Sequence, residues 1–404
     1  MNAKLFLTTI LLLAVLTACA NTLTPEPVGT DIANLPVVVT TQSPTATEPP
    51  LVPSEQSPQE TTEYEPTALI PTEVIPAEPI SIAAYNLGTP WEIAFLPDGR
   101  FLITERSGTL ALVDGDETVR IPIADVFEQG ESGLLGMALH PDFEANQWIY
   151  LYLTYQEAGE LVNRVERHRL ENDILADTMV IIDGIPGSSN HNGGRIEFGP
   201  DGLLYVTTGD AQTSSQSQDI NSLAGKILRL QDDGSIPENN PFGNAVYSYG
   251  HRTPQGLAWD EHGRLWSTEH GPSGLGSGYD ELNLIEIGGN YGWPEIQGDQ
   301  TREGMIIPLL QSGSNETWAP GDLEIVDGRA YFVGLRGSTL YTVPLNNLTP
   351  ESLERHFVQE FGRLRALRLG PDGLLYMGTS NTDGRGRLRE NDDKVFRIDW
   401  RQLP

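Results

Sequence analysis

His191 stands in "SSNHNGGRIEFGPDGLLYVTTGD", Ser188 to Asp210, among serine, asparagine and glycine, where nothing bulky can bury it. An imidazole can accept a proton near neutral pH, so a ring at such an open rim is a candidate general base. A turn histidine hydrogen-bonded to a neighbour's backbone is the plainer alternative. Arg363 and Arg365 in "GRLRAL" alternate with Leu364, a spacing that on a strand puts both guanidinium groups on one face. In a chain with 56 acids, 25 bases and a formal charge of -31, that pair is a local exception suited to an anion. Two solvated edge-strand arginines are the ordinary alternative.

Both groups need a scaffold, and the sequence repeats one. An apolar strand, a Pro/Asp-Asp/Gly turn and a second apolar strand recur in "WEIAFLPDGRFLITE", "GMALHPDFEANQWIYLYL", "RIEFGPDGLLYVTTGD", "GLAWDEHGRLWSTEH", "LEIVDGRAYFVGL" and "ALRLGPDGLLYMGT". Asp-Gly between apolar runs is a strong hairpin signal. Six hairpins, each extended by strands such as "GTLALVD", "KILRLQ" and "KVFRID", predict an all-β, six-bladed β-propeller over 80–404. One hairpin cannot bury both of its faces, whereas blades stacked in a ring can, with loops converging on a central axis. A β-helix is disfavoured by unequal spacing and a β-sandwich by the number of strands. Helical signal is weak; "TPESLERHFVQEF", with Thr349 as N-cap, is the best candidate.

Composition narrows the partners. The 42 Gly and 29 Pro mean many turns, and a single Cys excludes internal disulfides. The negative charge argues against nucleic acid or an anionic membrane surface as partner. Residues 1–18 read as an export signal, with an apolar run from Leu5 to Val15 too short for a comfortable span. Leu16-Thr17-Ala18-Cys19 resembles the bacterial lipobox, which implies cleavage before Cys19 and its lipidation, hence an exported protein anchored to the outer face of a bacterial cell membrane. Residues 19–79, rich in Pro, Thr, Glu and Ser, bury too little apolar surface to order and read as a disordered tether.

"NHNGGRIEFGPDGLLYVTTGD", "GHRTPQGLAW", "EHGP" with "DELNLIEIGGNYGWPE", and "GRLRALRLGPDGLLYMGT", in this order, resemble the soluble glucose/sorbosone dehydrogenase family. The resemblance runs from about Ile82 to Ile398 and implies a quinoprotein that oxidises an aldose with pyrroloquinoline quinone (PQQ) and calcium. PQQ is a flat quinone with three carboxylates, and arginine meets such a group with both a fork and a plane. By the resemblance, Arg252, Arg336, Arg363 and Arg365 hold the cofactor, with Glu131 and Thr253 beside it. His191 is then the base that takes the sugar's anomeric proton, and Arg252 is the candidate arginine that, with calcium, draws the quinone carbonyl and stabilises the oxyanion forming there. Calcium sits on carbonyls of Gly271 and Pro272, and a second ion uses Glu281 and the Tyr291 carbonyl. Asn190 and Trp318 would border the sugar.

Departures from the family pattern bear on detail. Asn190 stands where some members carry Asp, removing a possible charge partner of the base. Glu131 replaces a usual Gln, Thr253 a common Asn and Arg336 a common Lys, while "GPSGLGSGYDE" is longer than the family's compact link. Two rivals share the architecture: a calcium-dependent lactonase-like hydrolase, requiring carboxylates on the axis and no ring of arginines, and a surface-anchored propeller that binds a glycan or protein without catalysis. No strand-G-x-G-x-x-G-helix unit or serine nucleophile elbow is present. The particular sugar and the electron acceptor are not legible.

Overall fold

The computed structural model describes residues 79–272 and 278–403. The expected export signal, Cys19 and nearly all of the expected tether lie outside those residues. Six antiparallel four-stranded sheets follow one another along the chain. Their innermost strands are Pro90–Phe95, Leu134–Leu139, Gly193–Phe198, Pro254–Trp259, Pro320–Val326 and Leu364–Leu369. Each adjoins the next and the sixth adjoins the first, closing a six-bladed propeller. Ile80–Ala84 supplies the outer strand of the last blade by pairing with Val395–Ile398, so the two ends of the ring are joined by one ladder.

The turns form where the Asp-Gly signal predicts. In the first, Asp98 Oδ1 accepts the Arg100 N–H at 3.0 Å and Gly99 takes φ 93°, a left-handed conformation that glycine adopts without strain. Asp201 and Asp372 repeat the contact to Leu203 and Leu374. The apolar side chains between these turns sort into six clusters, one for each blade-blade interface. Leu102 and Leu112 of the first blade meet Leu134 and Leu151 of the second, and the series ends with Ile93 and Ile103 against Ala366 and Val395 across the closure. Each sheet therefore buries both faces only because it has two neighbours. "TPESLERHFVQEF" makes a single 3₁₀ turn, Pro350–Ser352, capped by Thr349 as expected, and then strand Glu354–His356. Pairing with Leu340–Pro344 overrides the helical pattern.

Every innermost strand has a register shift near its beginning. Such a bulge re-aims side chains. Trp91, Gln255, Gly321 and Arg365 are the extra residues in four of the blades. They meet at the axis: Arg365 Nη1 donates to Gln255 Oε1 at 2.7 Å, and the guanidinium groups of Arg195 and Arg365 lie 4.3 and 5.6 Å from the ring centre of Trp91. This layer lies between the strand-start loops and the rest of the axis.

Candidate active site

Asp-Gly turns occupy one end of the ring, and the connections that enter each innermost strand occupy the other. Glu131, His191, Arg252 and Arg363 lie in those entering connections, while Gly271, Pro272 and Arg336 lie in loops that leave a second strand at the same end. The topology therefore delivers residues from five blades to one mouth.

His191 adopts φ 62° and is held from several sides. Its main-chain N–H donates to Glu131 Oε2 at 3.2 Å, its Nδ1 is 2.8 Å from Asp210 Oδ1, and its Nε2 is 2.8 Å from Arg252 Nη2. An arginine can only donate, so Nε2 is the acceptor and Nδ1–H donates to Asp210. The basic lone pair is thereby placed on Nε2. Asp210 also accepts the Trp293 indole N–H at 2.8 Å. Burial works against its charge, but the bonds from His191 and Trp293 outweigh it and hold the carboxyl below the usual range. Glycines let the loop pass so close: a Cβ at Gly209 would lie 1.8 Å from the His191 carbonyl oxygen, and one at Gly130 2.3 Å from that of Ser189.

A cavity of about 210 Å³ opens beside this group, lined by Glu131, Gly271, Pro272, Arg336, Arg363 and Arg385, among others. Arg336 is exposed at its edge. Arg363 Nε donates to Asp383 Oδ2 at 2.7 Å and Nη1 to the Leu335 carbonyl at 3.2 Å. Arg365 lies in the bulged layer below, where burial presses its pKa down to about 9. Its Nε and the Thr253 hydroxyl are buried without a hydrogen-bond partner among the described residues. Arg252 reaches the wall through the His270 carbonyl at 3.4 Å. Burial lowers its pKa against the pull of Asp210 and Glu269. His270, whose Nε2 faces the Pro320 carbonyl at 2.9 Å, is pushed by burial down to about 4 and is neutral at pH 7.

The Gly271 N–H donates to Asp280 Oδ1 at 2.9 Å, and an added Cβ there would lie 2.1 Å from the Gly278 carbonyl oxygen. Residues 273–277, most of the long link, lie outside the described residues. Glu281 is the cross-strand partner of Glu269, and burial together with that second carboxylate pushes its pKa up to about 8. Beside it, Asn283 Nδ2 donates to Glu281 Oε2 at 2.9 Å, leaving the buried Asn283 Oδ1 without a partner among the described residues. The Tyr291 ring stacks on His251 at 4.7 Å between centres and 19° between planes.

Three expectations need correction. Trp318 is 1% exposed and packs on Phe332 and Tyr341, so the indole belongs to the fifth blade's core, not to the cleft. Arg363 and Arg365 do not share a face by simple alternation, because Arg365 is the bulged residue. His191 does not lack a charge partner: Asp210 supplies it from the far end of the same hairpin. Asn190 instead accepts from Arg385 Nη2 at 2.9 Å. Sequence reasoning also missed Arg385 and Asp280. Asp210 was visible, as the last residue of the stretch that carries His191, whereas Arg385 comes from the opposite end of the chain.

Carboxylates do reach the axis, as the hydrolase rival requires, but they arrive with arginines. Glu92 and Asp322 bind Arg195, and Glu92 and Glu197 bind Arg368 at 3.1 and 2.8 Å. Among the described residues no three His, Cys, Asp or Glu side chains form a metal cage.

A family model described as Glucose / Sorbosone dehydrogenase matches residues 87–389. The chain belongs to the glucose/sorbosone dehydrogenase family. It is 31% identical to the aldose sugar dehydrogenase of Escherichia coli strain K12, over 76% of this chain and 91% of that one. Identity to quinoprotein glucose dehydrogenase B of Acinetobacter calcoaceticus is 34%, over 57% of this chain and 55% of that protein. Among solved structures, the PQQ-bound aldose sugar dehydrogenase of Streptomyces coelicolor superposes with a TM-score of 0.72 at 37% identity, covering 79% of this chain and 97% of that one. Membership in this family makes the mouth described above the place to seek oxidoreductase chemistry.

Proposed function

We propose that the protein is a PQQ-dependent aldose dehydrogenase that oxidises the anomeric carbon with His191 as general base. The observation that carries this reading is His191 itself, with its Nε2 lone pair set by Asp210 behind it, beside a cavity walled by arginines.

The residues present fit the cofactor. The exposed Arg336 and the wall residue Arg363 suit its carboxylates, and the unpartnered Arg365 Nε and Thr253 hydroxyl are donors awaiting acceptors. The main-chain carbonyls of Gly271 and Pro272 are ligands of the kind calcium accepts, and Glu281 with Asn283 Oδ1 offers hard oxygens for a second ion. When bound, PQQ supplies the two-electron acceptor for the hydride that leaves the sugar. The protein's own part is the proton. A sugar hydroxyl that displaces Arg252 from Nε2 gives its proton to that nitrogen, and Asp210 then faces the imidazolium it has already oriented. Arg252, released from Nε2, would be the arginine that donates to the quinone oxygen on which charge develops. Small residues around His191 leave room for the ring above it.

The lipobox at Cys19 adds the proposal that the enzyme works outside the cytoplasmic membrane, held by lipid through the 19–79 tether, and passes electrons to an external acceptor. Labelling with radioactive palmitate, lost in Cys19→Ala, tests the anchor.

The activity is tested by adding PQQ and calcium to the purified protein and following dye reduction by aldoses. His191→Ala is expected to lower kcat roughly 10²- to 10⁴-fold while PQQ absorbance stays with the protein. Absence of PQQ binding at any calcium concentration overturns the proposal.

A further inference from the structure

The loop between Leu375–Thr379 and Val395–Ile398 of the sixth blade carries two side chains to the mouth. Asp383 holds Arg363, and Arg385 reaches across to the loops of other blades. Arg385 Nη1 is 2.5 Å from Glu131 Oε1, and Nη2 donates to Asn190 Oδ1 at 2.9 Å. Those partners flank the base directly. Asn190 precedes His191 in the chain, and the other oxygen of Glu131 accepts the His191 main-chain N–H. Arg385 itself is anchored by its own N–H to Asp383 Oδ1 at 2.9 Å, lines the cavity, and keeps 51% of its side chain exposed.

These contacts fix the hydrogen-bonding character of the rim. Burial opposes the charge of Glu131, but the Arg385 guanidinium and the His191 N–H hold its carboxyl below the usual range, so its oxygens can only accept. Arg385 can only donate, and a guanidinium has five N–H groups, more than Glu131 and Asn190 use. A carboxylate that only accepts, alongside a guanidinium that only donates, makes an adjacent acceptor and donor one residue from the base. A glutamine at position 131 would supply both roles from one amide and would have no need of the arginine. Neutral vicinal hydroxyls, each a donor and an acceptor, match such a pair; a carboxylate on the sugar would meet Glu131 as a like charge.

We infer that Arg385 is a substrate-binding, specificity-determining residue which, with Glu131, grips the hydroxyl next to the reacting carbon of a neutral aldose. The inference rests on the proposed aldose reading, and its test uses ligands that cannot be oxidised, so that it can be judged separately from turnover. The full-length protein, loaded with PQQ and calcium and also without them, is titrated calorimetrically with 1,5-anhydroglucitol, which lacks the anomeric hydroxyl, and with its 2-deoxy counterpart. In Arg385→Gln, the Kd for 1,5-anhydroglucitol is expected to rise about tenfold, the loss of a hydrogen bond to a charged group. The Kd for the 2-deoxy compound and for PQQ should change less than about twofold. Arg385→Lys, which keeps the charge, should recover part of the loss.

Equal weakening of both sugar analogues, no weakening of either, loss of PQQ along with sugar, or no binding of 1,5-anhydroglucitol to the parent protein would each overturn the inference. Failure of the parent protein to reduce dye with aldoses while still binding the analogue in an Arg385-dependent way would instead count against the dehydrogenase reading and support this one.

Discussion

Two sets of arginines and carboxylates lie on or beside the innermost strands, one on the axis and one at the mouth, and their states of pairing differ. On the axis, Arg195 is fully buried; it donates to the carbonyls of Gln255 and Gly321 and binds Glu92 and Asp322. Arg368 closes the set: burial disfavours its charge, but Glu197, Glu324 and Asp322 outweigh that and raise its pKa. At the mouth, Arg336 is exposed and Arg363 and Arg385 border an open cavity, while Arg365 in the layer below keeps a buried Nε–H unused, as Arg368 does on the axis. The residue types are the same. What separates a structural cluster from a binding one is whether the guanidinium groups border a cavity that a ligand can enter.

The largest effect that could break this comparison is on the axis. Arg195→Met leaves Asp322 buried without its ion pair and Glu92 with Arg368 alone, and breaking such a buried pair costs about 3–5 kcal/mol. Urea unfolding should show a loss of that size, whereas Arg336→Gln at the mouth should stay within about 0.5 kcal/mol of the parent and weaken PQQ instead. Equal stability loss in both variants would erase the distinction.

A second test sharpens the mouth itself. Asp210→Asn keeps the shape but offers an amide that can donate to Nδ1, which moves the imidazole proton to Nε2 and removes the lone pair that faces Arg252. A fall in kcat of about 10²-fold is expected, with PQQ retained and unfolding little changed. An unchanged kcat in steady-state assays would show that the tautomer set by Asp210 is irrelevant to turnover.

How much of this was legible in the sequence follows from how each feature is encoded. The blades were readable because Asp-Gly turns and alternating apolar residues act locally, and each repeat states them again. His191, Asp210 and the start of the third innermost strand belong to one such hairpin, so the base and its partner share a single line of sequence. The bulges were not readable. A bulge adds one residue against its partner strand, and no residue type in "GRLRAL" marks it, so the alternation of Arg363 and Arg365 did not reveal that Arg365 is the extra residue. Trp318 was ambiguous for a related reason: an indole fits a cleft or a core, and only ring closure brought Phe332 and Tyr341 against it. Arg385 meets Glu131 across 254 positions of sequence, a contact that exists only because the sixth blade returns to the first.

The smallest effect concerns Glu281, a buried carboxylate with no arginine partner among the described residues. Its pKa is raised to about 8 from an ordinary 4.5 by burial and by Glu269, so the folded protein holds a proton there that the unfolded chain gives up. In the absence of metal, the stability this proton contributes is fully present below pH 4.5 and is lost as pH rises through about 8. A calcium ion at this site reverses the preference, since it binds the carboxylate and must displace the proton. Calcium affinity should therefore rise about tenfold per pH unit between pH 6 and 8 and level off above, an increment of about 1.4 kcal/mol per unit. The increase in Tm on adding calcium should be larger at pH 8.5 than at pH 6, and Glu281→Gln should remove the pH dependence. A calcium-induced shift in Tm that is the same at both pH values would mean that no ion meets this carboxylate, and that the acid excess beside the fourth blade is held by protons alone.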